Sequence, residues 1–509
     1  LSKFDGFEEL FMAFDVESSK PLTAIVIGTG FSGLGMAVGL KKAGIDSFVI
    51  LERAAAVGGT WRDNHYPGCA CDVQSHLYSF SFEPNPEWTR RYARQPEIEA
   101  YLQKAANKYA LMQHVRFGAN VVEARFDEGA ALWQVKTADG RVFSAQMLIS
   151  GMGGLSNPAY PKLPGIEHFR GKAFHSAAWD HSYDLAGKRV AVIGTGASAI
   201  QFVPQIVGQV AQLDLYQRTP PWIVPKPDRP ISETERHWFK RLPLLQRFFR
   251  LGIYCAMETR VLGFVLNPKL MLLVQKLALS HIARQIKAPE LRKKVTPDYT
   301  IGCKRVLISN DYYPALTRAN VDVVTDAIRE VREHSIITND GIERPIDAII
   351  YSTGFSIQTM IPRGMMFGRK GVDLVDVWTQ GPQAYLGAAV PGFPNLFMLM
   401  GPNTGLGHTS QVYMIESQIH YVLDCLRTMR RQGAAAVEVR PEVYQRFNEG
   451  LQKQLVNTIW ASGCKSWYVN DNGRNTTLWP GFTFRFRSKT RRFKASDYVL
   501  EKAPASVIA

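Results

Sequence analysis

The chain has 509 residues, 60 of them Lys or Arg against 45 Asp or Glu, for a formal net charge of +15. That length exceeds one ordinary core and predicts two or three domains, while 46% hydrophobic and 21% charged residues exclude a disordered or fibrous chain. The positive balance fits an anionic cofactor or an anionic surface. Without a long Lys/Arg run or a nucleic-acid-binding motif it predicts no nucleic-acid partner.

The six cysteines, at 69, 71, 255, 303, 425 and 464, are sparse and irregularly spaced, which predicts free thiols in a reducing compartment. Cys69 and Cys71 lack the second pair a zinc site needs and read as structural; no metal is expected. Asp5, Glu8 and Glu9 stand where a secretory signal carries positive charge, and no apolar run reaches the ~18 residues of a spanning helix. A cytoplasmic monomer or weak oligomer is expected, with peripheral membrane contact left open.

Residues 1 to 20 read as a short arm. From Thr23 to Arg53 follow an apolar strand, the turn Gly28-x-Gly30-x-x-Gly33, a helix rich in Ala, Gly and Leu, and a strand ending at Glu52. Such glycines let the backbone approach a pyrophosphate and the helix pack on the strand, and the helix N-terminus stabilises the anion. Glu52 stands 24 residues after Gly28, near the ~20 at which a carboxylate accepts from a ribose hydroxyl. The loop from Gly58 to Asp72, GGTWRDNHYPGCACD, is turn-rich and leads from that strand toward the reactive ring of the dinucleotide.

A helix from Pro96 and strands follow, the clearest strand from Val115 to Phe126, then a hairpin with Asp139-Gly140 at its turn. Gly151 to Gly154 with Pro158, Pro161 and Pro164 mark a boundary. The stretch Phe169 to Asp180, FRGKAFHSAAWD, lies just upstream of a second nucleotide turn, Gly194-x-Gly196-x-x-Ala199. Where the first repeat has Glu52, the second has Arg218, followed by Thr219. An arginine cannot accept from a ribose hydroxyl but clamps a phosphate. The first site therefore suits a cofactor without a 2′-phosphate and the second suits NADPH.

Residues 228 to 298 are long helical stretches with Arg and Lys among apolar residues. They read as a helical cap over a cleft, with a surface resting on anionic lipid as the alternative. Lys304 and Arg305 are adjacent, so in extended chain they point to opposite sides. Strands then close the second nucleotide fold at Thr353-Gly354. The turn carrying Asn403, Thr404 and His408 and an aromatic tail from Trp467 to Phe493 return to the first domain. The fold class is α/β, with two Rossmann-like dinucleotide-binding domains: 1–155 with 356–509, and 156–355 including the insertion 228–298.

Phe169, Gly171, His175, Trp179 and Asp180 fit the pattern F-x-G-x-x-x-H-x-x-x-W-(P or D). Gly58-Gly59-x-Trp61 with Tyr66-Pro67-Gly68 and Asp72 fit a second one. On these two patterns, and on two nucleotide turns in this order, the chain resembles the flavin-dependent (type I, class B) Baeyer–Villiger monooxygenases from Gly28 to its tail. Related heteroatom-oxidising flavin enzymes usually end the first pattern in Tyr or Phe, then Lys or Arg, so Trp179-Asp180 favours the ketone branch.

The resemblance implies FAD at Gly28, Gly30, Phe31, Ser32, Gly33, Glu52, Thr60, Trp61, Asp72 and Val122. It implies NADPH at Gly194, Thr195, Gly196, Ser198, Ala199, Arg218, Thr219 and Lys304. It makes Arg305 the catalytic arginine, Asp72 the carboxylate that orients it, and Trp467 part of a mobile loop closing over the nicotinamide. That loop departs from the common G-A-N-x-P-G-K, with VNDNGRNTTLWPG after the tryptophan motif. Phe169 to Asp180 becomes a hinge between domains, with His175 fixing their orientation.

The implied reaction uses NADPH and O2 to insert one oxygen beside a ketone carbonyl through a C4a-peroxyflavin, giving an ester or lactone. A guanidinium in a dry site stabilises such anions. The implied substrate is a small hydrophobic ketone or thioether. The alternatives are an S- or N-oxygenase, which would not require Arg305, and a basic nucleotide-sensing protein.

Overall fold

A computed structural model describes residues 20–358, 360–464 and 466–502. Apart from Lys20, the expected N-terminal arm lies outside them. The chain begins with β1 (Leu22–Ile27), α1 (Phe31–Lys42) and β2 (Phe48–Leu51), followed by the single turn α2 (Thr60–Asp63) and α3 (Gln95–Lys108). Beyond come β3 (Val115–Arg116), β4 (Val121–Asp127), β5 (Leu132–Thr137) and β6 (Val142–Ser150). The run read as one strand from Val115 to Phe126 is two, because Gly118 turns the chain at φ +66°. A third glycine is needed in the first turn because α1 lies hard on it: a Cβ on Gly33 would stand 1.8 Å from the Gly28 carbonyl oxygen.

The second set of strands is β7 (Lys172–His175), β8 (Arg189–Ile193), then α4 (Ala199–Ile206), β9 (Gln212–Tyr216) and β10 (Ile223–Val224). The helical stretch resolves into α5 (Glu233–Arg241), α6 (Pro243–Glu258), α7 (Met271–Gln285) and α8 (Pro289–Val295). Ser232 and Glu235 form a reciprocal capping box that starts α5. After it come β11 (Leu307–Ile308), β12 (Val321–Val324), the antiparallel β13 (Ile328–Val331), β14 (Ser335–Thr338) and β15 (Glu343–Pro345), and β16 (Ala348–Tyr351). The three-stranded sheet was not legible in the sequence, its strands being only three or four residues long.

Two main sheets result. One has the order β17-β4-β5-β6-β1-β2-β3, where β17 is Met366–Phe367, and β18 (Leu396–Met398) pairs with β6. Strands from beyond residue 355 thus join the sheet of the first nucleotide turn. The other, β12-β9-β8-β16-β7, is parallel throughout. Its central strands read as continuous apolar runs because both faces are covered. In each sheet the glycine turn leaves the C-terminal end of a central strand, where open parallel sheets bind ligands.

The cysteines differ from the expectation of free thiols throughout. Cys303 and Cys464, 161 residues apart, are brought together as a disulfide with Cα atoms 6.2 Å apart, while Cys69, Cys71, Cys255 and Cys425 are free. Irregular spacing cannot reveal a pair that only folding makes adjacent. Among the described residues no His/Cys/Asp/Glu group is arranged to hold a metal.

Candidate active site

One cavity of about 1720 Å³ receives both nucleotide turns. Gly28, Gly30, Phe31 and Ser32 line it from the start of α1, and Glu52 from the end of β2. The Glu52 carboxylate, 4% exposed, accepts from the Thr29 amide at 2.9 Å and from its hydroxyl at 2.6 Å, and pairs with Arg62 at 3.2 Å. Thr60 and Trp61 follow on the wall, the Trp61 indole donating to the Tyr78 hydroxyl at 3.0 Å. A Cβ on Gly59 would stand 2.9 Å from the Gly30 Cα, so two bare backbones face one another across the turn.

The second turn opens into the same space through Gly194, Thr195, Gly196 and Ser198. Gly194 sits at φ +103°, and a Cβ there would meet the Ser352 carbonyl oxygen at 2.4 Å. Arg218, Thr219 and Lys304 line this end. Burial and then the charge of Arg218 push the Lys304 ammonium below its ordinary pKa, against the opposing charge of Asp298, as expected of two converging cations. Lys304 also lies 4.7 Å from the centre of the Tyr299 ring.

Between the two turns Arg305 donates a hydrogen bond to the Asp72 carboxylate, and both line the cavity. Asp72's charge raises the Arg305 guanidinium further above its usual range, against the opposing effect of burial. Burial would raise the Asp72 carboxyl, but Arg305 outweighs it and holds Asp72 below the ordinary carboxylate pKa. The pair is therefore ionised on both sides. Tyr468, 2% exposed, stands close enough for Arg305 to counter part of the burial that raises its phenol to about 12. Trp467, beside it with ring centroids 4.4 Å apart, is 44% exposed and lines the cavity.

A model of the flavin-binding monooxygenase-like family matches residues 22–362. A Baeyer–Villiger monooxygenase of Pseudomonas aeruginosa is 60% identical, over 95% of this chain and 92% of the relative. The chain belongs to this family, in its Baeyer–Villiger branch. Among solved structures, cyclohexanone monooxygenase from Rhodococcus sp. Phi1 bound to NADP+ is similar with TM-score 0.84 and 29% identity, over 95% of this chain and 100% of that one. Oxidised steroid monooxygenase bound to NADP is similar with TM-score 0.85 and 29% identity, with the same coverage. The protein is thus an NADPH- and O2-dependent flavin monooxygenase of the Baeyer–Villiger type, α/β in fold, that binds FAD and NADPH. The facing glycines and buried acid of the first turn, and the paired cations of the second, fit those two cofactors.

Not every residue named from the resemblance reaches the cavity of this monooxygenase. Gly33 and Ala199 lie behind their turns, packed in the helix–strand contact. Val122 is 42% exposed, while Val121, 8% exposed, lines the cavity in its place. A register shift between Val121 and Glu123 reverses the alternation that Ala124 and Phe126 set from further along β4. His408 is buried 3.2 Å from Glu258, which also accepts from the Thr483 amide and hydroxyl, so it ties α6 to the tail and does not line the cavity. Thr404 does line it.

The stretch Phe169 to Asp180 lies outside the cavity wall. Its strand β7 is the edge of the second sheet; Trp179 packs on Phe174 and Phe202, and Asp180 pairs with Lys172 and caps Ser182. His175, fully buried, accepts from the Ala177 amide and has Tyr160 and Phe355 as ring neighbours.

Gln201 on α4, missed by sequence reasoning, makes the direct link to the Gly58–Asp72 loop. It accepts from the Tyr66 hydroxyl at 3.0 Å and the Ala70 amide at 3.2 Å, and donates to the Ala70 carbonyl at 2.9 Å. A lone glutamine in a helix carries no signal until its helix faces that loop.

Proposed function

We propose that Arg305 and Asp72 carry the oxygenation of a small apolar ketone to an ester or lactone. The observation behind this reading is the ionised Arg305–Asp72 pair, open to the one cavity into which both nucleotide turns lead. Bound FAD supplies the two-electron store that NADPH fills and that activates O2. Arg305, its side chain 41% exposed and open to the cavity, supplies a fixed positive charge where negative charge grows on oxygen as the carbonyl is attacked, and a charge already held in place needs little reorganisation. Asp72 holds the guanidinium in one orientation and offsets its charge.

Arg218, Thr219 and Lys304 hold the 2′-phosphate of NADPH, and Glu52 the adenosine ribose of FAD. In this reading the first nucleotide domain comprises 1–155 with 356–509 and the second 156–355. Thioethers are the secondary substrates.

In Arg305→Ala the enzyme retains FAD and oxidises NADPH but releases hydrogen peroxide, with ester formation down about 10²–10³-fold. Product analysis with a ketone panel reads this out; a normal ester yield removes Arg305 from the reaction.

A further inference from the structure

Of the 25 large apolar side chains exposed among the described residues, 14 lie between Trp238 and Leu279. They concentrate on the hairpin of α6 and α7, whose two arms meet at 116°. α6 is amphipathic in the inverse sense to a water-facing helix, and α7 carries apolar side chains on both its inner and its outer side. On α6 the polar Gln246 and Arg250 turn inward, donating to the Asn85 carbonyl at 2.7 Å and the His76 carbonyl at 2.6 Å. Outward, Leu244, Phe248 and Leu251 are 65%, 70% and 53% exposed. On α7 Met271, Ala278 and Ile282 are buried, and Leu272, Leu273 and Leu277 face out. Patches of this extent mark an interaction surface.

Charge selects the partner. From Arg241 to Pro289 the one carboxylate is Glu258, buried and bonded to Thr483. Arg241, Arg247, Arg260, Lys269 and Lys276 are exposed, and among the described residues none has an ion-pair partner. Pairing this face with a second copy of the chain would set like charges against each other. Among the described residues no single helix is long and apolar enough to cross a membrane, although the two arms of this hairpin reach that length and apolarity together. Bent by 116° and packed on the protein along one side through Gln246, Arg250 and Met271, the hairpin is suited to lie on a bilayer.

We infer that the α6–α7 hairpin docks the enzyme on an anionic lipid surface, its leucines and Phe248 at the acyl boundary and its cations among the headgroup phosphates. The hairpin's inner side backs onto the active-site wall. Phe264, in the turn between the helices, stacks on Trp460 at 6.0 Å, and Trp460 lines the cavity. A ketone dissolved in the bilayer would thus lie beside the site. Docking itself does not depend on the ketone reading.

The test is flotation of the FAD-loaded full chain with vesicles of phosphatidylcholine alone or mixed with phosphatidylglycerol. Binding to the mixed vesicles is expected to be about tenfold stronger, and weaker in high salt. Phe248→Ser with Leu273→Ser lowers the bound fraction about tenfold while NADPH oxidation in solution is unchanged. Arg247→Gln with Lys276→Gln removes the preference for phosphatidylglycerol and provides a second reading should the first variant fail to fold. Equal binding to both vesicle types, or none, overturns the inference. So does a wild-type dimer in sedimentation that the Phe248/Leu273 variant turns into a monomer, which would assign the face to a second copy.

Discussion

At the scale of single residues, the two nucleotide turns differ in charge at the position that ends the strand after each helix. Glu52 ends its strand as a buried acceptor, while Arg218 ends the matching one as a cation converging with Lys304. The proposed assignment of FAD to the first turn and NADPH to the second rests on that charge reversal. Arg218→Ala should raise the KM for NADPH about 10–100-fold and leave that for NADH unchanged, since only the former offers a 2′-phosphate to a guanidinium. Steady-state kinetics with both reductants checks this, and an unchanged preference assigns the discrimination elsewhere. The offset to Arg218 was legible in the sequence because it is local to one strand-turn-helix-strand unit. The substitution of Val121 for Val122 was not, because a single bulge moves every upstream side chain to the other face of the strand.

Single elements depend on buried groups that the chemistry of the active site does not use. His76 supports α5 and α6, with its ring edge-on to Phe239 and Phe249 and bonded to Gln246 at 3.1 Å. Burial, then the charge of Arg250, push it down to about 4. Its folded pKa lies below the value of 6.5 in the unfolded chain, so between these values the unfolded state binds more protons. The contribution is complete above 6.5 and is lost as pH falls toward 4, by up to about 3 kcal/mol. Thermal midpoints should therefore drop less in His76→Gln than in the wild type between about pH 7 and about pH 5; equal drops would show that His76 is not the group responsible. The helical character of this region was evident from its composition. Its inverted polarity was not, since the inward-facing partners of Gln246 and Arg250 come from residues 76 to 85, more than 150 positions earlier.

Across the whole molecule, the cavity is assembled from segments that meet only on folding. The Cys303–Cys464 disulfide joins the residue two before Arg305 to the residue three before Trp467, and Arg305, Cys464 and Trp467 line the cavity. Closing so long a loop restricts the unfolded chain, so Cys464→Ser should cost about 2–4 kcal/mol. Denaturation of the two proteins under non-reducing conditions measures this, and peptide mapping without reductant should recover the linked pair. Mapping that finds six free thiols removes the constraint.

By itself the sequence determined the two glycine turns and the acid and the arginine that end their strands, and through the family resemblance it pointed to Asp72 and Arg305. These are short-range patterns or fixed signatures, in which backbone geometry and charge are set by neighbours in the chain. Only the tertiary structure decided that Asp72 and Arg305, 233 residues apart, share a hydrogen bond. It also decided that Gln201 ties the loop to the second sheet, that His408 belongs to a structural bond with Glu258, and that Cys303 finds Cys464. Each depends on which surfaces the packed sheets and helices bring together, and no local propensity encodes that.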